Sequence, residues 1–201
     1  MRRGIVIGMF RAVNVLTYGG FALWLLSSLV FPSRVAWADA VVAIAPSPVM
    51  PAVDALLDAK LVDLADQPVS LRELSGKVVV VVHQDRHSSE QNPALKEKLS
   101  ALLLRYPTDL RIVALADVGG YDFWPAKGYV KDALKSLDSA GGALVACDWK
   151  GAVRKAYQLK QKHSTVFVLS KGLGLVSLTR GQLSTVETEQ VAQRVEAELA
   201  K

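Results

Sequence analysis

The reading of the fold turns on Val78-Val79-Val80-Val81-Val82-His83-Gln84-Asp85-Arg86-His87-Ser88. Five successive β-branched residues favour extended backbone. With no polar position among them, they predict a strand covered on both faces, as in the middle of a layered α/β sheet. A polar loop or helix start follows over 83–92, and then a helix to about Arg105.

Working outward, strands and helices alternate. Lys60 to Asp63 is a short strand candidate closed by a turn at Asp66-Gln67-Pro68, and Ser70-Leu71-Arg72-Glu73 has the spacing of a capping box. Leu110 to Leu115 is the next strand, and Val130 to Leu137 a helix beyond a loop holding Tyr121, Phe123 and Trp124. Ala143 to Cys147 is a strand, Asp148-Trp149-Lys150-Gly151 a turn, and Ala152 to Leu159 a short helix. Thr165 to Leu169 and Leu175 to Thr179 flank a glycine-bearing turn, which predicts an antiparallel hairpin. Ser184-Thr185-Val186-Glu187 is a second capping box, opening a helix with Val191, Val195 and Leu199 on one face. Alternation first and a hairpin last imply parallel crossovers plus antiparallel strands, hence a mixed sheet.

The chain has 201 residues, 51% of them hydrophobic and 21% charged, a globular balance that excludes a disordered or low-complexity protein. Its net charge of +5 is uneven. Four of the 24 basic residues (Arg2, Arg3, Arg11 and Arg34) lie in residues 1–38, which hold no acid, so 20 basic face 19 acidic residues beyond them. Bulk charge therefore predicts no nucleic-acid footprint. Residues 1–38 read as a signal peptide: a basic start, an apolar stretch densest from Phe21 to Phe31, and Ala36-Trp37-Ala38 as a small-x-small cleavage site. The alternative is an uncleaved anchor over 12–33, the only membrane contact expected. Either way the folded part is expected outside the cytoplasm, periplasmic or otherwise exported. Residues 39–56, with Pro46, Pro48 and Pro51, read as a linker, and 57–201 as one domain.

The ordered segments resemble the thioredoxin superfamily, in its redoxin branch. Val69 to Lys77 resembles the family's lead-in to the central strand, Val78 to Val82 that strand, and Asp148 to Tyr157 its D-x-x-G-x-v-x-x-aY segment. Ser164 to Leu169 resembles the P-T-x-F-x-i strand. Gly76-Lys77, His83, the Arg86-His87-Ser88-Ser89 loop and Ala156-Tyr157-Gln158-Leu159 are most similar to the YtfJ-type periplasmic proteins, which lack the redox motif. The resemblance implies a three-layer thioredoxin-like sandwich with a mixed central sheet, a C-terminal hairpin and a final helix.

It also implies where redox cysteines would stand: at the mouth of the first long helix, five residues before a helical proline. With Pro93 as that proline, they fall on Asp85 and Ser88, and the family's cis-proline falls on Ser164. An alternative makes Asn92 an N-cap and Pro93 the first helical residue, leaving 83–91 as a loop. No dithiol exists in either case, since Cys147 is the only cysteine. Cys147 reads as a small buried hydrophobe, with an atypical oxidoreductase acting through it as the minority view.

The expectation is a non-catalytic module that binds a partner protein, a peptide or a small ligand at the vacated pole. Asp85, Arg86, His87, Ser88 and Ser164 are the binding candidates, with 86–88 presenting helix-start donors to an anion. No cofactor is called for. A rival reading has His83, His87 and His163 converge on zinc or copper. Tyr121, Phe123 and Trp124 read as a hydrophobic cluster that anchors their loop, with a ligand groove as the alternative. No hydrolase elbow, P-loop, dinucleotide fingerprint or zincin motif occurs.

Overall fold

The valine run forms the middle of strand β3. A computed structural model describes residues 52–138 and 142–201, which fall within one unit of the chain, Pro46–Lys201. In chain order the elements are α1 (Asp54–Leu57), β1 (Leu61–Val62), β2 (Pro68–Val69), a 3-10 turn (Leu71–Leu74), β3 (Val78–Gln84) and α2 (Pro93–Arg105). β4 (Leu110–Asp117), α3 (Ala126–Asp138), β5 (Leu144–Asp148) and α4 (Ala152–Ala156) follow, then β6 (Thr165–Leu169), β7 (Leu175–Arg180) and α5 (Thr185–Leu199).

The described strands form one sheet in the order β2-β1-β5-β4-β3-β6-β7. β3, β4 and β5 are parallel, while β6 and β7 complete the expected antiparallel hairpin. Val79 and Val81 pack with Leu56, Tyr157 and Phe167 on one face, and Val78, Val80 and Val82 with Leu95, Leu99, Val191 and Val195 on the other. Burying each valine contributes roughly 1.5–2 kcal/mol, so an uninterrupted apolar run is what a two-sided site demands. Helices thus cover both faces: α2 and α5 on one, α1 and α4 on the other. α3 packs Val130 and Leu134 near Cys147 and Trp149, at the β5 edge of the parallel strands.

Four local expectations change. The Ser184–Glu187 capping box is made in both directions, but Ser70 caps nothing with its side chain. A single 3-10 turn has few orphan N–H groups, and Arg72 instead bridges to Asp54 and Asp58. Those two acids sit on and just past α1, whose Leu56 is fully buried, so the linker's last residues already belong to the fold. Periodicity cannot reveal a one-turn helix that is held by tertiary contacts. Pro68 opens edge strand β2 rather than closing a turn, because the Asp63 carboxylate accepts from the N–H groups of Ala65 and Gln67 and makes the bend earlier. Finally, β4 and β5 run on to Asp117 and Asp148, which pair across the ladder and bring two acids to the C-terminal end of the sheet. The signal peptide expected over 1–38, and residues 39–51 of the expected linker, lie outside the described residues. Among the described residues no helix is long and apolar enough to cross a membrane.

Candidate functional site

Beyond β3 the chain makes a tight turn that the Asp85 carboxylate organises. Its Oδ1 accepts from the backbone N–H of His87 (2.9 Å), the N–H of Ser88 (2.9 Å) and the Ser88 hydroxyl (2.9 Å). Its Oδ2 accepts from the Lys162 N–H at 2.6 Å, across 77 residues of sequence. Burial pushes the Asp85 carboxyl up, but these donors outweigh it and hold the group below the usual aspartate value. Gln84 donates to the Ser88 carbonyl and the Ser164 hydroxyl, while Gln91 accepts from the Ser164 N–H and donates to the Lys162 carbonyl. Side chains thus stitch the turn to segment 162–164.

This corrects the expected donor site. Helix α2 begins at Pro93, so 86–88 are not at a helix mouth. Asn92 precedes it in the left-handed region (φ 59°) without capping the helix; its amide bonds the Gly181 carbonyl and the Leu183 N–H instead. The N–H groups of His87 and Ser88, expected to meet an anion, already serve the chain's own Asp85. Ser88 and Ser164 are fully buried, so neither offers a surface to a ligand. The Ser164 amide and carbonyl are consumed by Gln91 and by the Gly181 N–H. Among the described residues the only cis bond is Trp124–Pro125, away from Ser164.

A second polar group lies one layer deeper. His83 points to the same sheet face as Val79 and Val81, its Nε2 lying 3.8 Å from Asp117 Oδ2. The same oxygen lies 2.7 Å from Nε of Arg154, carried over the sheet by α4. Asp117 Oδ1 accepts from the Gly119 N–H, and Asp148 accepts from the N–H groups of Lys150 and Val153. His83, with 3% of its surface exposed, has no hydrogen bond on either ring nitrogen. Burial lowers its pKa, while Asp117, Asp148 and Asp85 pull the other way and Arg154 reinforces the lowering.

Above this group opens a cleft of about 410 Å³, lined by Asp85, Arg86, His87, Asp117, Gly119, Gly120, Tyr121, Arg154, Gln161 and Lys162. Three of the five sequence-derived binding candidates, Asp85, Arg86 and His87, line it. Asp117, Arg154 and Lys162 were missed. The available signals were an acid closing the β4 strand and an arginine three residues past Gly151 in the Asp148 to Tyr157 segment.

The three histidines do not come together as the rival metal reading requires. Among the described residues no three His, Cys, Asp or Glu side chains are grouped to hold an ion. His83 faces inward to Asp117, whereas His87 lines the cleft and His163 lies beside Gly181. Cys147 is paired with Ala116 inside the sheet, packed beneath α3, and fully buried. Burial pushes its thiol up to about 11, away from thiolate chemistry. The aromatic loop is not a buried anchor either: Phe123 and Trp124 are 58% and 91% exposed.

Residues 57–198 match the model of a family described as a bacterial protein of unknown function, YtfJ_HI0045. The chain belongs to that family. No match is found among curated proteins. Its fold is the thioredoxin-like fold of redoxins. Peroxiredoxin Q of Xanthomonas campestris superposes with a TM-score of 0.55 at 16% identity, covering 75% of this chain and 98% of that one. A Chlorobium tepidum structure described as the thiol:disulfide interchange protein DsbE gives 0.52 at 20% identity, over 69% and 92% of the two chains. The exposed lipoprotein thioredoxin of Streptococcus pneumoniae gives 0.51 at 17%, over 67% and 96%. At these identities the likeness establishes the fold alone.

Proposed function

We propose that this member of the family is an exported, thioredoxin-like binding module without dithiol chemistry, whose ligand sits in the cleft at the C-terminal ends of β3 and β4. The observation that carries this reading is the state of the turn after the central strand. A redox pole needs an accessible thiolate there, and this one holds a carboxylate saturated by four donors. The chain's single thiol is buried in a strand. What the pole does offer is a charged recess with exposed Arg86 and His87 at its rim. Export is supported by the tripartite pattern of residues 1–38.

The test begins with protein recovered from the producing cell's exported fraction, with an N-terminus expected at Asp39. In insulin- and glutathione-coupled reductase assays that protein is expected to be inert. Turnover that disappears in Cys147→Ala, or retention of the protein in the cytoplasm, would overturn the reading.

A further inference from the structure

A buried imidazole with two unpartnered nitrogens loses its solvation without compensation, so His83 calls for an explanation. The charged and titratable groups that face it come from four directions: Asp117 on β4, Asp148 at the end of β5, Asp85 in the turn after β3 and Arg154 on α4. The link between them is one oxygen. Asp117 Oδ2 is 2.7 Å from Arg154 Nε and 3.8 Å from His83 Nε2. That contact pairs the Arg154 charge as an ion pair but is not aligned as a hydrogen bond, and His83 stops just short of hydrogen-bond distance.

Arg154 also lines the cleft, together with Arg86 and Lys162, whose side chains have no ion-pair partner among the described residues. The carboxylates in the lining are both committed, Asp85 to its four donors and Asp117 to Arg154 and the Gly119 N–H. The uncommitted charge in the cleft is therefore positive. Gly119 and Gly151 let the guanidinium lie close against the backbone, with Arg154 Nη2 only 3.3 Å and 3.0 Å from where their Cβ atoms would stand.

Building on the binding role proposed above, we infer that the cleft is an oxyanion site, for a carboxylate or phosphate group, in which the bound anion draws Arg154 away from Asp117 and His83 takes a proton from solvent to replace it. The exchange balances. The ligand gains the guanidinium, Asp117 keeps its charge, and the new Nε2–H donates to Oδ2 once the pair closes by less than about 1 Å. Each anion bound takes up as much as one proton, and affinity rises by up to about tenfold for each pH unit lowered.

Sulfate is the probe, because its charge is constant over the working range. Calorimetric titration of the protein at about pH 5.5 and about pH 7.5, in buffers of different ionisation enthalpy, reads both affinity and proton uptake. Acetate and inorganic phosphate, run in parallel, distinguish the carboxylate from the phosphate source. The expected results are tighter binding at the lower pH, uptake of protons, and one histidine NMR signal moving to its protonated position on adding sulfate to the unmodified protein. Arg154→Gln and the exposed Arg86→Ala are each expected to weaken sulfate by about tenfold. Arg86→Ala and the NMR readout keep the test decisive if Arg154→Gln folds poorly.

Sulfate binding without proton uptake, with no histidine signal moved, overturns the exchange. Binding that survives both substitutions, or no binding of any of the three anions, overturns the oxyanion site. None of those results restores redox activity, so the proposal above stands or falls separately, on the reductase assay.

Discussion

Asp85 and His83 are two residues apart at the end of one strand, yet their surroundings are opposite. Asp85 is half-buried and its two oxygens accept four hydrogen bonds, three within its own turn and one from Lys162. His83 is more deeply buried and its two nitrogens make none. The turn donors are local, so Asp85 gathers them at almost no loop-closure cost, and one long-range bond then fixes segment 162–164 against it. His83 points into the sheet face below α4, where a carboxylate and a guanidinium already pair their charges. A saturated group shapes the molecule; an unsatisfied one holds capacity that only a change of partner can use.

Breaking the saturated side has the largest expected effect. Asp85→Ala leaves the N–H groups of His87 and Lys162 without their acceptor and the Ser88 N–H with only the Asp85 carbonyl, and is expected to cost about 3 kcal/mol, read from the urea midpoint. The pH dependence has a definite sign. The Asp85 carboxyl titrates below the ordinary value of 3.8, so its contribution is present above that pH and is lost as pH falls through the folded-state value. The unmodified and Asp85→Ala curves should therefore converge in acid. A loss below about 1 kcal/mol at neutral pH would mean that the turn holds without its carboxylate.

The same contrast explains what could be read from the amino-acid order. The valine run was legible because its burial needs no partner to be named: five apolar β-branched residues fit only a strand covered on both sides. Ser184 and Glu187 were legible because a capping box closes within four residues. In the site, Arg86 and His87 could be found from their adjacency to the strand. Asp117 and Arg154 could not, since sheet register and the position of α4 bring them together across 37 residues, without a local signature. Ser88 and Ser164 misled for a related reason. Small polar side chains look like surface donors, but Gln84, Asp85 and Gln91 use them to close the pole. The start of α2 turned on Pro93, which fits the first helical turn better than an interior place because it has no N–H to give.

Removing the unsatisfied side should act in the opposite direction. His83→Leu keeps a similar volume and removes two orphaned nitrogens, so it is expected to stabilise the anion-free protein by about 1 kcal/mol near neutral pH. The folded pKa of His83 lies below the ordinary 6.5. The unfolded chain therefore takes the proton first, and the unmodified protein loses stability as pH falls through that value toward the folded one. The advantage of His83→Leu should widen over that interval, as thermal or urea unfolding at several pH values would show. A variant less stable than the original at every pH would mean that the imidazole is satisfied in solution.

The smallest effect sharpens the comparison most, because it alters no titrating group. A Cβ at Gly119 would stand 3.2 Å from Asp117 Oδ1 and 3.3 Å from Arg154 Nη2, and 3.4 Å from the Gly151 Cα. The backbone at 119 is not in the left-handed region, so only this crowding opposes alanine. The guanidinium must shift by a few tenths of an ångström, and Gly119→Ala is expected to cost about 0.5–1 kcal/mol. Gly128→Ala is the control: a Cβ there meets nothing within 4 Å, and its place in α3 makes alanine favourable by about 0.5–1 kcal/mol. Opposite signs at these two glycines in urea unfolding would show that the chain keeps Gly119 for the approach of Arg154 to Asp117. Equal gains at both would leave the guanidinium free of the backbone. Arg154 could then meet an anion without first giving up Asp117, and sulfate binding would carry no proton.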